Sequence, residues 1–308
     1  MREHLDRQIG LLRSLLVYRG IPWRGAQLRR FYSRFVPEGG LAFDIGAHAG
    51  NRVAAFRQLG ARVVALEPQV DFLRLLERRF ATDPLVTLLP QAVARAPGQA
   101  RLMASPRTPT VATLSTDFVQ RAGASPSFRG VHWQKGPLVD VTTLDDLVGQ
   151  HGAPDFVKID VEGFELEVLM GLSRPITALS FEFLPAMSDI ALGCIDRLET
   201  LAGGGRYRYA VSLGERLTLL QPQGETADAM RAWLRAMPPD GPSGDVHAWL
   251  SRHPVRSPPA RIDPASCSGL GYASHAQHPG FRDGLENRRP PTRSRSAQTG
   301  SPVPVSAA

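Results

Sequence analysis

The run from residue 41 to residue 51 constrains the fold of this chain more than any other stretch. Its apolar residues 41–45 predict a strand, which is followed by a loop that contains Gly46 and Gly50 and then by a helical pattern. A second apolar run, 62–66, ends in an acid. Strand, glycine loop, helix, strand and acid in this order predict a βαβ unit that binds a nucleotide-containing cofactor.

The residue types around this loop predict how a cofactor would be held. Glycine lets the backbone approach a ligand closely, and the helix start at Asn51 offers N–H groups to a carboxylate or a phosphate. Glu67, at the end of the second strand, can accept two hydrogen bonds from a ribose diol. The predicted cofactor-binding residues are Asp44, Gly46, His48, Gly50, Asn51, Glu67 and Pro68.

Two side chains near the loop indicate the chemical class of the cofactor. His48 stands where a dinucleotide fingerprint has a glycine, so its imidazole occupies space that a pyrophosphate would need. Asp44 would repel phosphate, but its carboxylate suits S-adenosylmethionine, which carries an ammonium and a sulfonium group. The alternative interpretations are a dinucleotide such as NAD, or a structural turn that binds no ligand.

Four blocks of the sequence resemble the FkbM family of S-adenosylmethionine-dependent methyltransferases in their order and spacing. The resemblance covers roughly residues 38 to 250. It implies a class I methyltransferase fold, S-adenosylmethionine as cofactor and a hydroxyl oxygen as methyl acceptor. The blocks are Asp44-Ile-Gly-Ala-His-Ala-Gly-Asn51, Ala65-Leu-Glu-Pro-Gln69, Thr142-Thr-Leu-Asp-Asp146 and Phe156-Val-Lys-Ile-Asp-Val-Glu-Gly-Phe-Glu-Leu-Glu-Val-Leu-Met-Gly171.

Predicted strands alternate with predicted helices along the rest of the chain. Such alternation predicts an α/β fold with a mostly parallel sheet and helices on both faces, and the resemblance implies the Rossmann-like, seven-stranded form of it. Strands are predicted at 41–45, 62–66, 85–89, 138–141, 156–160 and 177–183, with a closing antiparallel pair at 206–212 and 216–220. Helices are predicted at 51–59, 69–80, 143–150 and 163–171.

Composition divides the chain into three predicted regions. Residues 1–37 form a helical extension, with an apolar stripe over 3–17 and a second helix through 28–35. We expect this extension to cap the sheet near the cofactor entrance; a membrane-surface or partner-binding helix is the alternative. Residues 38–250 form the methyltransferase-like domain, and residues 251–308, rich in Pro, Ser and Arg, are predicted to be a disordered tail.

The net charge of +7 is concentrated at the two ends of the chain. Residues 1–36 hold eight arginines against two acids, and residues 251–308 hold eight arginines against three, which leaves about −4 for the segment between them. A nucleic-acid-binding surface usually coincides with the fold that reads the nucleic acid. We therefore expect no nucleic-acid partner.

The cellular compartment is predicted from three features. The two cysteines, Cys194 and Cys267, lie far apart and lack metal-ligand spacing. No apolar run reaches the length of about 18 residues that a transmembrane helix needs, and the first residues do not follow a signal-peptide pattern. The sequence predicts a cytoplasmic protein without a transmembrane segment.

Three acids lie at or just beyond the ends of predicted strands, at the edge where a parallel sheet binds ligands. Asp160 is the first candidate for a general base or an acceptor-orienting group, Glu162 is the second and Glu182 the third. Glu162 could instead cap the helix that follows it. Asp160 and Glu182 could together hold Mg²⁺, but no third oxygen ligand is evident, so we predict no metal.

Lys158 is a fourth candidate catalytic residue. It lies within an apolar strand, on the face that also carries Asp160. There it can pair with Asp160 or Glu162 and hold that carboxylate ionised, although a purely structural ion pair is equally compatible with the pattern.

The methyl acceptor is expected to meet a polar excursion at 104–137, which predicts a lid or recognition element. Residues 110–115, His132 and Trp133 of this excursion either shape the acceptor pocket or form a surface loop. We predict methyl transfer to a hydroxyl group of a small molecule or carbohydrate. The alternatives are a non-catalytic, cofactor-binding scaffold protein and an NAD-dependent oxidoreductase.

Overall fold

A computed structural model describes residues 24–125 and 128–251 of this chain. The predicted helix at 3–17 and the predicted tail from 252 onward lie outside the described residues. The predicted second helix of the N-terminal extension is present as α1 (Arg24–Tyr32).

Ten strands form two sheets in the described part of the chain. Seven of them make the main sheet, in the order β3-β2-β1-β7-β8-β10-β9. Neighbouring strands in it are parallel except at β10, which is antiparallel to both of its neighbours. This order confirms the predicted α/β fold with a mostly parallel, seven-stranded sheet. The strands are β1 (Leu41–Ile45), β2 (Arg62–Leu66), β3 (Val86–Leu89), β4 (Gln91–Val93), β5 (Gly98–Ala104), β6 (Gln134–Thr142), β7 (Phe156–Ile159), β8 (Ala178–Phe183), β9 (Tyr207–Leu213) and β10 (Gly244–Leu250).

The strand predicted at 138–141 is real, but its expected place in the main sheet is wrong. It belongs to β6, which lies between β4 and β5 in a separate three-stranded sheet. Exposed and buried residues mix along β6, including an exposed Leu138. A strand with one solvent-exposed face fits a small, partly antiparallel sheet better than the centre of a parallel sheet, where helices bury both faces.

Of the predicted closing pair at 206–212 and 216–220, the first strand is confirmed and the second is wrong. The first member is β9, but residues 216–220 form no strand. The inner edge of β9 is instead taken by β10, whose residues pair with it from Gly244 to Leu250. The segment after β9 makes only local contacts with its outer edge, such as the Leu220 N–H donated to the Val211 carbonyl at 2.8 Å.

Helices cover both faces of the main sheet, as predicted. Residues of α1, α2 and α3 pack on one face, and residues of α5 to α8 pack on the other. Among the described helices, none combines the length and the apolar character that crossing a membrane requires. The remaining helices are α2 (Asn51–Gln58), α3 (Val70–Phe80), α4 (Thr116–Gly123), α5 (Leu144–His151), α6 (Glu165–Met170), α7 (Ser188–Ala202) and α8 (Ala227–Ala236).

Candidate active site

The loop between β1 and α2 is built around two glycines. Gly46 has a φ of +85°, and a Cβ there would collide with the backbone carbonyl oxygen of Asp160. Gly50, with a φ of +75°, precedes α2, and a Cβ there would approach side-chain atoms of Leu76 and Phe80 to 2.6 and 2.7 Å. Glycine is the residue that takes such a backbone at no steric cost, so the loop can lie tightly against the end of β7.

Glu67 joins this loop to the segment after β2. Its Oε2 accepts a hydrogen bond from the His48 N–H at 2.9 Å, and its Oε1 accepts one from the Gln69 N–H at 2.8 Å. Only 1% of the residue is exposed, and this burial raises the pKa of Glu67 to about 7 despite the two hydrogen bonds. The acid predicted to hold a ribose is therefore also a fixed part of the loop.

The burial of Glu67 predicts how stability depends on pH. Since its folded-state pKa of about 7 exceeds the ordinary 4.5, the folded protein binds this proton more tightly than the unfolded chain does. The stabilisation that protonated Glu67 gives to the folded protein is complete below the ordinary pKa and is lost as the pH rises through about 7. The wild type should therefore lose free energy of unfolding between about pH 5 and pH 8, whereas Glu67→Gln, which cannot titrate at this position, should lose up to about 3 kcal/mol less. Urea unfolding at both pH values measures the difference. Equal pH slopes for both proteins would contradict this.

A cavity lies beside the glycine loop at the carboxyl ends of β1, β2 and β7. It contains about 480 Å³ of space that no protein atom occupies. From the predicted cofactor residues, Gly46, His48, Glu67 and Pro68 line it, and Asp160 lines it as well. We call this space the loop cavity.

Three other predicted cofactor residues lie behind the loop rather than on the loop cavity. Gly50 and Asn51 belong to the start of α2. Asp44 is 1% exposed and accepts a hydrogen bond from the Val53 N–H of α2. Burial raises the pKa of Asp44 to about 6, although Arg52 and Lys158 oppose the shift.

Lys158 lies between two carboxylates inside the sheet. Its Nζ is 3.2 Å from Oδ2 of Asp160 and 3.1 Å from Oδ1 of Asp245, so the predicted pairing with Asp160 is present. Burial disfavours the ammonium form, yet the two adjacent acids outweigh this and raise the pKa of Lys158. The lysine is therefore a buried cation shared by two acids.

The sequence analysis did not predict Asp245 as a partner of Lys158, because it did not predict the strand β10 that carries Asp245. A signal exists in Gly-Asp-Val-His-Ala-Trp-Leu, where Val246, Ala248 and Leu250 alternate with the polar Asp245 and His247. Such alternation is the pattern of a strand.

Three buried carboxylates converge where β7 and β8 end. Asp160, Glu162 and Glu182 are 8%, 2% and 6% exposed, and one oxygen from each lies within 4.8 Å of the others. Burial raises the pKa values of Glu162 and Glu182 well above the ordinary one, and the neighbouring carboxyl groups raise them further. The sequence-based argument that Asp160 and Glu182 lack a third oxygen partner is wrong, because Glu162 lies beside them.

Glu162 does not cap the following helix. Its φ of +55°, followed by +80° at Gly163, delays the helix until Glu165. Glu165, the first residue of the helix, instead holds the preceding loop: its Oε1 accepts hydrogen bonds from the N–H groups of Val161 and Gly163 at 3.3 and 3.2 Å. Glu162 is thereby directed to the carboxylate cluster.

The excursion between β5 and β6 contributes one wall of the loop cavity. Ala112, Thr113 and Leu114 line this wall. Trp133 holds the excursion together, since its Nε1 donates to the Val111 carbonyl at 2.8 Å and its ring lies against Phe118. A second cavity of about 1150 Å³ adjoins the first, with Gln69 and Leu102 lining both.

A curated methyltransferase is similar in sequence to part of this chain. A hexuronic acid methyltransferase, AglP, from Haloferax volcanii is 28% identical over 168 residues, which make up 52% of this chain and 63% of that protein. The chain thus spans less than two thirds of the length of this relative.

Two solved structures also align with most of the chain. An O-methyltransferase from Bacillus cereus in complex with SAH has 13% identity and a TM-score of 0.39, and the alignment covers 79% of this chain and 90% of that one. A precorrin-6Y C5,15-methyltransferase from Geobacter metallireducens has 14% identity and a TM-score of 0.38, with 74% and 87% covered.

The family assignment follows from a match to a family model. Residues 44–237, which are more than half of the chain, match the methyltransferase FkbM domain. The matched region contains the glycine loop, Glu67 and the carboxylates at the ends of β7 and β8. This chain belongs to the FkbM methyltransferase family.

Proposed function

We propose that the protein transfers a methyl group from S-adenosylmethionine to a hydroxyl oxygen of a carbohydrate or another small molecule. The observation that carries this proposal is that Glu67 and Asp160 line the same cavity. A residue suited to a ribose and a residue suited to an acceptor hydroxyl thus face one space.

The loop cavity fits the cofactor in its chemistry. Each carboxylate oxygen of Glu67 accepts one backbone hydrogen bond, and a carboxylate oxygen has two lone pairs, so capacity remains for a ribose diol. The buried acids nearby favour a cationic ligand over a phosphate. When bound, S-adenosylmethionine supplies a methyl group already activated by its sulfonium.

The protein's own task is to position the acceptor and remove its proton. As the new C–O bond forms and the C–S bond breaks, the sulfonium becomes a neutral thioether and the hydroxyl loses its proton. Asp160 is the proposed site that receives this proton or orients the hydroxyl, with Glu162 and Glu182 beside it. Lys158, through its contact with Asp160 at 3.2 Å, keeps that carboxylate in place and favours its ionised form.

A carbohydrate acceptor is supported by the second cavity and by one relative. The polar side chains of Asp71, Ser105, Gln134 and Lys135 line this cavity, so it offers several hydrogen-bonding groups to the hydroxyl groups of a sugar. The similar protein AglP is a hexuronic acid methyltransferase. We therefore propose a uronic acid or a related sugar as the first acceptor to test.

Binding of S-adenosylhomocysteine and NAD, compared by calorimetry, tests the cofactor assignment. We expect S-adenosylhomocysteine to bind more tightly, and Glu67→Ala to weaken its binding by about 10- to 100-fold, because hydrogen bonds to a charged group each contribute about 1.5–3 kcal/mol. Glu77→Ala, which removes an exposed acid of α3, is the control and should change little. Tighter binding of NAD would overturn the proposed function, and an unchanged affinity in Glu67→Ala would remove Glu67 from the ribose site.

Transfer of a labelled methyl group to a panel of sugars, with and without a carboxylate, tests the reaction itself. Transfer that requires the acceptor's hydroxyl groups supports the proposal. Cofactor binding without transfer to any sugar or metabolite in the panel would favour a non-catalytic scaffold.

A further inference from the structure

We propose that Asp160, Glu162 and Glu182 bind a hard divalent cation such as Mg²⁺, and that this cation holds the acceptor hydroxyl. The position of the cation follows from the side chains alone. Its role toward the acceptor rests on the proposed function.

The spacing of the three carboxylates suits one central ion. One oxygen from each residue lies within 4.8 Å of the other two. Around Mg²⁺, with Mg–O distances of about 2.0–2.1 Å, adjacent ligand oxygens are about 2.9 Å apart and opposite ones about 4.1 Å. The observed oxygens can thus reach a common centre with small side-chain movements.

Glu162 supplies an independent indication of a missing partner. Only 2% of the residue is exposed, and its Oε1 accepts no hydrogen bond from any residue in the described ranges. A buried carboxylate oxygen without a hydrogen-bond partner is costly. A cation bound in the cluster would satisfy it.

The charges of the described neighbours leave the cluster short of positive charge. Lys158 is the cation in contact with Asp160, and its Nζ is shared with Asp245 at 3.1 Å. No lysine or arginine of the described segments forms an ion pair with Glu162. Arg52 also attracts Asp160 and Asp245. The missing positive charge is therefore the one facing Glu162, which a divalent ion in the cluster would supply.

The ligand chemistry selects the class of metal. Carboxylate oxygens without nitrogen or sulfur ligands favour Mg²⁺, Mn²⁺ or Ca²⁺ over zinc or copper. Asp160 also lines the loop cavity, so an ion on its carboxylate would lie next to the expected methyl group. Such an ion would lower the pKa of a bound hydroxyl and orient it for in-line transfer.

Direct cation titration of the full chain tests the site. Mg²⁺ binding is measured by calorimetry and Mn²⁺ binding by electron paramagnetic resonance. We expect one ion per chain, and affinity at least about ten-fold weaker in Glu162→Gln and in Glu182→Gln, because each removes a charged ligand. Glu165→Gln is the matched control: it also neutralises a buried glutamate, but Glu165 bonds the backbone and lies outside the trio. It should retain the wild-type affinity within about three-fold.

The outcomes separate this site from the proposed function. Absence of Mg²⁺ and Mn²⁺ binding in wild-type protein that unfolds cooperatively would overturn the site, as would equal affinity in wild type and Glu162→Gln. Methyl transfer that persists in a chelator without bound ion would overturn the role of the ion toward the acceptor, and would leave the proposed function intact. If the protein binds the ion specifically but methylates no acceptor, the cation site would be supported and the proposed methyltransferase function would be contradicted.

Discussion

The Asp160→Asn variant should transfer methyl groups about 10²- to 10⁴-fold more slowly than the wild type, with little change in its affinity for S-adenosylhomocysteine. Asparagine keeps the shape of the side chain but can neither receive a proton nor offer a negative charge to a cation. The loss should appear in the turnover number, since the interaction matters most in the transition state. Single-turnover kinetics with labelled cofactor measure this, with calorimetry for the cofactor.

Asp245→Asn is the matched control for this experiment. It neutralises the other acid on Lys158, whose Nζ lies 3.1 Å away, yet Asp245 is absent from the loop-cavity lining. A clearly smaller loss than that of Asp160→Asn is expected. Wild-type turnover in Asp160→Asn would remove Asp160 from the chemistry, and equal losses in both variants would indicate that the acids act only by supporting Lys158.

The Lys158→Met variant should lose about 3–5 kcal/mol of unfolding free energy, because it leaves the buried Asp160 and the partly buried Asp245 without the ammonium group that they share. Lys158 has essentially no exposed surface, and it contacts Asp160 and Asp245 at 3.2 and 3.1 Å. Methionine fills a similar volume, so the loss reports on charge more than on packing. Urea unfolding of the purified chain measures it.

A double variant separates charge from packing at this position. Lys158→Met combined with Asp245→Asn should lose less than the two single variants together, because one of the stranded charges is gone. A loss below about 1 kcal/mol in Lys158→Met, which is typical of a surface ion pair, would show that the buried network does not depend on this lysine.

Local patterns in the sequence predicted the parts of the site that lie on consecutive strands. The bounds of β1 and β2 agree with the predicted 41–45 and 62–66, because short apolar runs between a glycine loop and a turn leave few alternatives. The common face of Lys158 and Asp160 followed from the two-residue period of a strand, and their contact at 3.2 Å confirms it.

The other parts of the site depend on contacts between segments that are far apart in the sequence, and local sequence patterns do not predict such contacts. Asp245 reaches Lys158 only because β10 inserts between β8 and β9, and strand order is a property of the whole sheet. Glu162 joins the carboxylate cluster through a φ of +55°, which few non-glycine residues adopt. The cofactor and catalytic roles themselves remain predictions until ligand binding and turnover are measured.

The insertion of β10 has a consequence for how the protein is made. Phe35, just after α1, stacks on His247 of β10 with ring centroids 5.4 Å apart, so early and late parts of the chain meet on one face. During synthesis on the ribosome, Lys158 cannot pair with Asp245 until β10 has left the exit tunnel. The stacking of Phe35 on His247 has to wait for the same strand. Closing so long a loop costs conformational entropy, so this face of the sheet is completed only after most of the chain has been made, and until then chaperones and proteases can reach it.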